Sequence, residues 1–320
     1  MRARYILVFV LAIILFFLWL VTNPILFSSH TKTSIPVDKQ LLYRHVDTLT
    51  SISPARNHIN IFSLDAAADY IYFELEKAGC RMERQQYEVN GATYQNIIGS
   101  IGPETASRLI VGAHYDVCGE QAGADDNASA VAGLLEIARL IQVQQPELKQ
   151  RIDFVGYTLE EPPYFGSKHM GSAVHAKSLN DNNIDVKGMI CLEMIGYFSE
   201  EENSQDYPIG FLKWFYPNKG NFIAVIGKLG QGQVVRQVKK SMKQVADIDV
   251  RSINAPRSLV GIDFSDHRNY WKYDYPAVMI NNTAFYRNKN YHETSDTIGT
   301  LDFDKMTEVV RGAYWAVVNF

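Results

Sequence analysis

The sequence predicts an α/β domain built on a mixed, largely parallel central sheet flanked by helices on both faces, preceded by one N-terminal transmembrane helix. Three observations predict this: short, nearly unbroken apolar runs of strand length, helical periodicities that alternate with them, and a charge-free apolar stretch at the start of the chain. A strand whose two faces are both covered reads as a continuous apolar run, and helices between such runs are what cover them.

The elements follow in order. No charged residue occurs from Tyr5 to Ser29, and Tyr5 to Val21 is apolar throughout. At about 1.5 Å per residue such a run, extended toward Phe27, approaches the thickness of a bilayer core. We read residues 1–22 as a signal-anchor. Arg2 and Arg4 hold its start in the cytoplasm by the positive-inside rule and send the remaining chain outward, to a periplasmic or lumenal location. Cleavage and secretion is the competing reading, although no Ala-x-Ala-like site precedes Ser28-Ser29. Asn23-Pro24, Ser28-Ser29 and Pro36 make residues 23–36 a stalk, and residues 37–320 one domain.

Within that domain helices are expected over Asp38–Ser51, Ser63–Ala78 (Ser63 capping, Gly79 closing), Ala128–Gln144, Gln233–Ala246 and Asp304–Val318. Strands are expected at Ile97–Ile101, Arg108–Ala113, Ile152–Tyr157, Gly188–Leu192, Phe222–Ile226 and Ala277–Ile280. The net charge of −4, from 31 basic and 35 acidic residues, leaves no basic excess for a nucleic-acid partner. Cys80, Cys118 and Cys191 are too few and too scattered for a disulfide framework, and no Cys-x-x-Cys is present.

Ligands of open α/β sheets bind beyond the carboxyl ends of strands. His114-Tyr115-Asp116, Asp125-Asp126-Asn127, Glu160-Glu161, Glu193 and His292 all fall just after expected strands or at the start of the third helix. Taken singly, Glu160-Glu161 reads as a solvated edge and His-x-Asp as a structural histidine. Five such features in succession read as a site. Two histidines with three carboxylates suit zinc, and a shared carboxylate can hold two ions about 3.5–4 Å apart. Asp116 is placed to orient the His114 imidazole by accepting its other N–H. A glutamate outside the ligand set can take a proton from an activated water. Cys118 and Cys191 lie near these residues in sequence and are read as small packing side chains rather than ligands.

The motifs His114-Tyr115-Asp116, Gly123-Ala124-Asp125-Asp126-Asn127-Ala128-Ser129, Glu160-Glu161 with Gly166-Ser167, Leu192-Glu193-Met194-Ile195-Gly196-Tyr197, Ser265-Asp266-His267 and Tyr291-His292-x-x-x-Asp296-Thr297 resemble the zinc aminopeptidases of metallopeptidase family 28. That family also includes glutamate carboxypeptidases and glutaminyl cyclases, and the resemblance runs from about Val37 to the C-terminus. It implies two Zn2+ per chain: His114 and Glu193 on one, Glu161 and His292 on the other, Asp126 bridging, with a cis Asp126-Asn127 peptide. It implies Glu160 as general base, Tyr291 as a hydrogen-bond donor to the oxyanion, and Asp266-His267 as support. The implied activity is exopeptidase hydrolysis, removing N-terminal residues from peptides by way of a water bridging the zinc ions. A one-zinc glutaminyl-peptide cyclotransferase and a non-catalytic, receptor-like module are the alternatives. The chain departs from the pattern at Glu193, where relatives often carry Asp, and at Pro162-Pro163-Tyr164-Phe165, which stiffens a loop beside the expected cleft. The aromatic stretch Tyr197, Phe198, Trp214, Phe215 and Tyr216 is a candidate pocket wall or core cover.

Overall fold

The computed structural model describes residues 4, 5, 9, 12, 19, 21–25, 30, 31, 33–104 and 107–320. Most of the expected membrane helix, residues 1–22, lies outside the described residues; among those described, no helix is long and apolar enough to cross a membrane. The described part of segment 23–36 rests on the domain. Thr31 N donates to the Gln244 carbonyl (2.9 Å), and Ile35 is buried in the larger core.

The elements are α1 (Lys39–Thr50), α2 (Ile61–Lys77), β1 (Arg81–Val89), β2 (Ala92–Ile101), β3 (Arg108–His114), α3 (Ala130–Gln144), β4 (Arg151–Tyr157), α4 (Gly171–Asp181), β5 (Val186–Glu193), β6 (Phe222–Lys228), α5 (Gly232–Val245), β7 (Asp249–Ala255), β8 (Ala277–Asn281) and α6 (Phe303–Val318). They form a mixed eight-stranded sheet in the order β1-β2-β4-β3-β5-β8-β6-β7. Its centre, β4-β3-β5-β8, is parallel, while β1-β2, β2-β4 and β6-β8 are antiparallel.

Alternating side chains of the central strands enter two cores, which is why those strands read as unbroken apolar runs. Leu109, Val111, Ile190 and Leu192 join α1, α2, α3, α5 and α6 on one face. Ile110, Met189 and Cys191 join Ala176 and Leu179 of α4, with Tyr270 and Trp271, on the other. Asp38 caps α1 by accepting from Leu41 N (2.9 Å). Helix α2 begins at Ile61, earlier than expected; Ser63 lies inside its first turn, its N–H donating to the Asn60 carbonyl (2.9 Å). Gly79, at φ 78°, ends it as the left-handed residue that glycine adopts without steric cost.

Candidate metal centre

The central parallel strands deliver the site at their carboxyl ends. His114 is the last residue of β3 and Glu193 the last of β5; Glu160 and Glu161 follow β4, and His292 follows β8 in a loop. Asp126 sits in a distorted segment, Ala124–Ser129, that precedes α3. All five expected ligands converge. His114 Nε2 lies 3.3 Å from Asp126 Oδ1 and 3.5 Å from Glu193 Oε2. His292 Nε2 lies 3.3 Å from Asp126 Oδ2 and 3.1 Å from Glu161 Oε2. Donors about 2.1 Å from a tetrahedral ion stand about 3.4 Å apart, so these separations are those of ligand edges. Asp126 thus turns one oxygen toward each histidine.

The neighbouring carboxylate shows why Asp126 has this place and Asp125 does not. Asp125 Oδ1 accepts from Gly196 N (2.9 Å) and Tyr197 N (3.1 Å), and Oδ2 from the side-chain amides of Asn282 and Asn288 (2.8 Å each). It is committed to tying the loops after β5 and β8 to the start of α3. Asp296 receives the Asp125 and Asp126 N–H groups at 2.9 and 3.0 Å. The Asp126-Asn127 peptide is cis, and Asn127 Oδ1 accepts from Met194 N (2.9 Å). Gly123, at φ 62°, has no room for a side chain, because a Cβ there would collide with the Asp126 carbonyl.

Asp116 is reached by a route different from the expected one. The nearest partner of His114 Nδ1 is the Asp116 backbone carbonyl (3.1 Å), with the carboxylate oxygen at 3.5 Å. The carboxylate accepts from the backbone N–H groups of Glu160 (3.2 Å) and Glu161 (3.0 Å). Asp116 is therefore a positioning residue for both the imidazole and the glutamate pair. The long arm of Glu193 is steadied by Ser265, whose Oγ donates to Oε2 at 2.6 Å. Tyr291 stacks on His292, ring centroids 3.8 Å apart and 18° from parallel, and borders the cleft with Asp126, Glu160, Glu161 and Glu193. Asp266 is buried and both of its oxygens lack a partner.

Two contributors escaped the sequence reading. Ser265 stands in a motif but carried no assigned role. Arg56 is fully buried and donates to the carbonyls of Tyr115 (2.8 Å), Leu49 (3.0 Å), Ala122 (2.6 Å) and Gly123 (2.7 Å), clamping the backbone before Asp126 to the end of β3. No periodicity or spacing marks it in sequence.

The electrostatics call for cations. Asp116, Asp126, Glu160, Glu161 and Glu193 are all buried, against two imidazoles and the Arg56 guanidinium. Burial opposes charge on His114, yet Glu193 and Glu160, with Asp116 and Asp126, raise it well above its ordinary value. Burial likewise opposes charge on His292, and Asp126 and Glu161 push it up to about 10. Burial would raise Asp126 too, but the two histidines hold it below the usual carboxylate range. Burial, reinforced by Asp126, lifts Glu161 to about 8; burial, reinforced by Glu161 and Glu193, holds Glu160 well above the carboxylate range. Glu161 Oε1 is buried without a partner. Bound cations answer this surplus directly, and the nitrogen and oxygen donor set fits zinc.

The cleft over these groups, about 240 Å³, is walled by Pro162, Phe165, Phe264, Ala284 and Phe285. Pro162 and Phe165 come from the departing proline loop. The aromatic stretch considered earlier lies elsewhere: Trp214 is 83% exposed, and Tyr216 lines a separate apolar cavity that shares only Phe264, Ala284 and Phe285 with this cleft.

Comparison with known proteins identifies the family. Over 286 residues the chain is 45% identical to the uncharacterized protein YfbL of Escherichia coli K12, covering 87% of each chain. It is 27% identical over 311 residues to leucine aminopeptidase 1 of Ajellomyces capsulatus strain H88, covering 88% of this chain and 74% of that one. Its fold is similar to that of Bacteroides thetaiotaomicron glutaminyl cyclase bound to N-acetylhistamine, at a TM-score of 0.66 and 20% identity, covering 90% of this chain and 100% of the other. The sequence profile of peptidase family M28 matches residues 96–316, and the chain belongs to that zinc-dependent, aminopeptidase-like family of hydrolases.

Proposed function

We propose that the protein is a cocatalytic dizinc aminopeptidase, anchored at a membrane with its domain extracytoplasmic, that removes N-terminal residues from peptides. The observation that carries the two-ion reading is Asp126, with one oxygen 3.3 Å from His114 Nε2 and the other 3.3 Å from His292 Nε2. His114, Asp126 and Glu193 would hold one ion, and Asp126, Glu161 and His292 the other. When bound, such ions polarise a scissile carbonyl and acidify water.

Glu160 has no metal to hold in this scheme. Its Oε2 lies 4.0 Å from His114 Nε2 and it borders the cleft. With a proton affinity well above that of an ordinary carboxylate, it takes the proton of the attacking water and passes it to the leaving amine. Asp116 keeps it in place through its backbone N–H. The Tyr291 phenol, held protonated by burial and the surrounding carboxylates, is a hydrogen-bond donor for the oxyanion. The aromatic walls Phe165, Phe264 and Phe285 favour an apolar N-terminal side chain. Anchoring is supported by the charge-free run from Tyr5 to Ser29 behind Arg2 and Arg4.

The test combines metal analysis with aminoacyl reporter substrates, with and without chelator. Two zinc ions per chain and chelator-sensitive release of the reporter are expected. One ion per chain, with cyclisation of N-terminal glutamine instead of hydrolysis, would replace this reading by the cyclotransferase one.

A further inference from the structure

Cys118 was read from sequence as a packing residue, and the structure puts it somewhere more consequential. Its Sγ, a carboxylate oxygen of Glu161 and a ring nitrogen of His292 all lie within 4.8 Å of one another. The thiol is free and half-buried. The backbone on both sides is pinned: Val117 N donates to the Arg56 carbonyl (3.2 Å), and the Gly119 carbonyl accepts from Asn57 Nδ2 (2.6 Å). The backbone that carries the sulfur is thus fixed, with the sulfur beside the Glu161 carboxylate and the His292 ring. Beside it the second carboxylate oxygen of Glu161, Oε1, is buried without a hydrogen-bond partner.

We propose that Cys118 is a further ligand of the ion held by Glu161 and His292, giving that ion a sulfur donor alongside nitrogen and oxygen. The inference rests on the two-ion reading above. Sulfur and nitrogen or oxygen donors around one zinc stand about 3.4–3.6 Å apart, so the cluster closes by little more than about 1 Å to bind. On coordination the S–H proton leaves to solvent and the sulfur lone pair forms the metal bond. His292 is the more exposed of the two histidines and sits on a loop, at 26% side-chain exposure against 1% for His114. A ligand from the pinned loop that follows β3 would tie this outer ion to the sheet. A soft thiolate also biases the outer position toward zinc over magnesium or manganese, which prefer all-oxygen ligands.

The test uses the full chain loaded with cobalt(II) and, separately, with zinc. A near-ultraviolet thiolate-to-cobalt charge-transfer band and one sulfur neighbour at about 2.3 Å in zinc X-ray absorption are expected. Cys118→Ser and Cys118→Ala should lose both signals and release the outer ion about ten-fold or more readily, the lower end of what metal-orienting groups contribute. Cys80→Ala, which removes a thiol in the core, should keep them. Two bound ions with only nitrogen and oxygen neighbours would overturn the role of Cys118 and leave the two-ion reading standing. One bound ion without the band would overturn both, and one bound ion with it would support Cys118 while overturning the two-ion reading.

Discussion

The two halves of the candidate metal centre are built differently although both histidines face Asp126. The inner half, His114 and Glu193, ends two adjacent central strands; both side chains are buried, and Asp116 and Ser265 fix them. The outer half, Glu161 and His292, comes from loops, and His292 is held at φ 58° with Tyr291 stacked on its ring. Strand ends supply precision because the sheet's hydrogen bonds fix their backbone. Loops supply access, since under the proposed function a substrate would approach from the open side. The inner half is thus the more rigidly built, and the outer half the more open to solvent.

The largest expected effect separates proton handling from both halves. Glu160→Gln should keep the metal content and lower turnover by about 10²–10⁴-fold, measured as kcat on a reporter peptide beside metal analysis. Near-normal turnover would remove Glu160 from its role.

Asp125 supports both halves at once. Asp125→Ala leaves the donors of Gly196, Tyr197, Asn282 and Asn288 without their acceptor, and at about 1–3 kcal/mol per buried orphan group the domain should lose at least about 3 kcal/mol in chemical denaturation. A loss below 1 kcal/mol on the same scale would show that water replaces the carboxylate there.

The asymmetry itself is read by chelation. The outer ion should leave first in a timed chelator titration, and Ser265→Ala should weaken the inner ion by about 10–100-fold, narrowing the gap. Equal release rates in the unaltered protein would contradict the comparison.

On the substrate side, Phe285→Ala should reduce kcat/KM for apolar N-terminal residues by about 10-fold while sparing small ones, the size expected for a lost apolar wall. An equal loss for alanine and leucine reporters would assign Phe285 a structural role instead.

The smallest effect is the pH dependence of the metal-free protein. His292 is raised to about 10, so its contribution is complete below about 6.5, the unfolded value, and fades as pH climbs through 10. Glu161 and Asp296, raised by burial to about 8 and about 7, act with the same sign, because the folded state holds their protons more tightly than the unfolded chain. His45, His175 and His267, lowered to about 4 by burial, act with the opposite sign below about 6.5, and Lys239, lowered to about 8, does so above about 8, so metal-free stability should fall between about pH 7 and 8 in thermal unfolding, and zinc should flatten that slope. A metal-free protein that gains stability over that range would contradict these assignments.

Fold elements were legible in proportion to how much of their pattern is set by burial. The central strands β3, β4, β5 and β8 are covered on both faces and announce themselves as apolar runs. The edge strands β1, Arg-Met-Glu-Arg-Gln-Gln-Tyr-Glu-Val, and β7, Asp-Val-Arg-Ser-Ile-Asn-Ala, show one face to solvent and did not. Helix α4 escaped because Gly-Ser-Ala-Val-His-Ala-Lys-Ser-Leu-Asn-Asp has little apolar stripe to read.

For the site, the sequence by itself determined the chemistry: which residue types follow which strands, and hence a histidine and carboxylate set suited to zinc. The family resemblance put Asp126 in the bridging place; only the tertiary structure showed what occupies Asp125 instead, that Asp116 grips the backbone of the glutamate pair, that Arg56 clamps the segment before Asp126, and that the Cys118 sulfur stands near Glu161 and His292. The physical reason is separation along the chain. Spacing within one segment sets which residues share an edge. The partners that saturate Asp125, and the His292 that stands near Cys118, come from segments more than seventy residues away and meet only when the sheet has assembled.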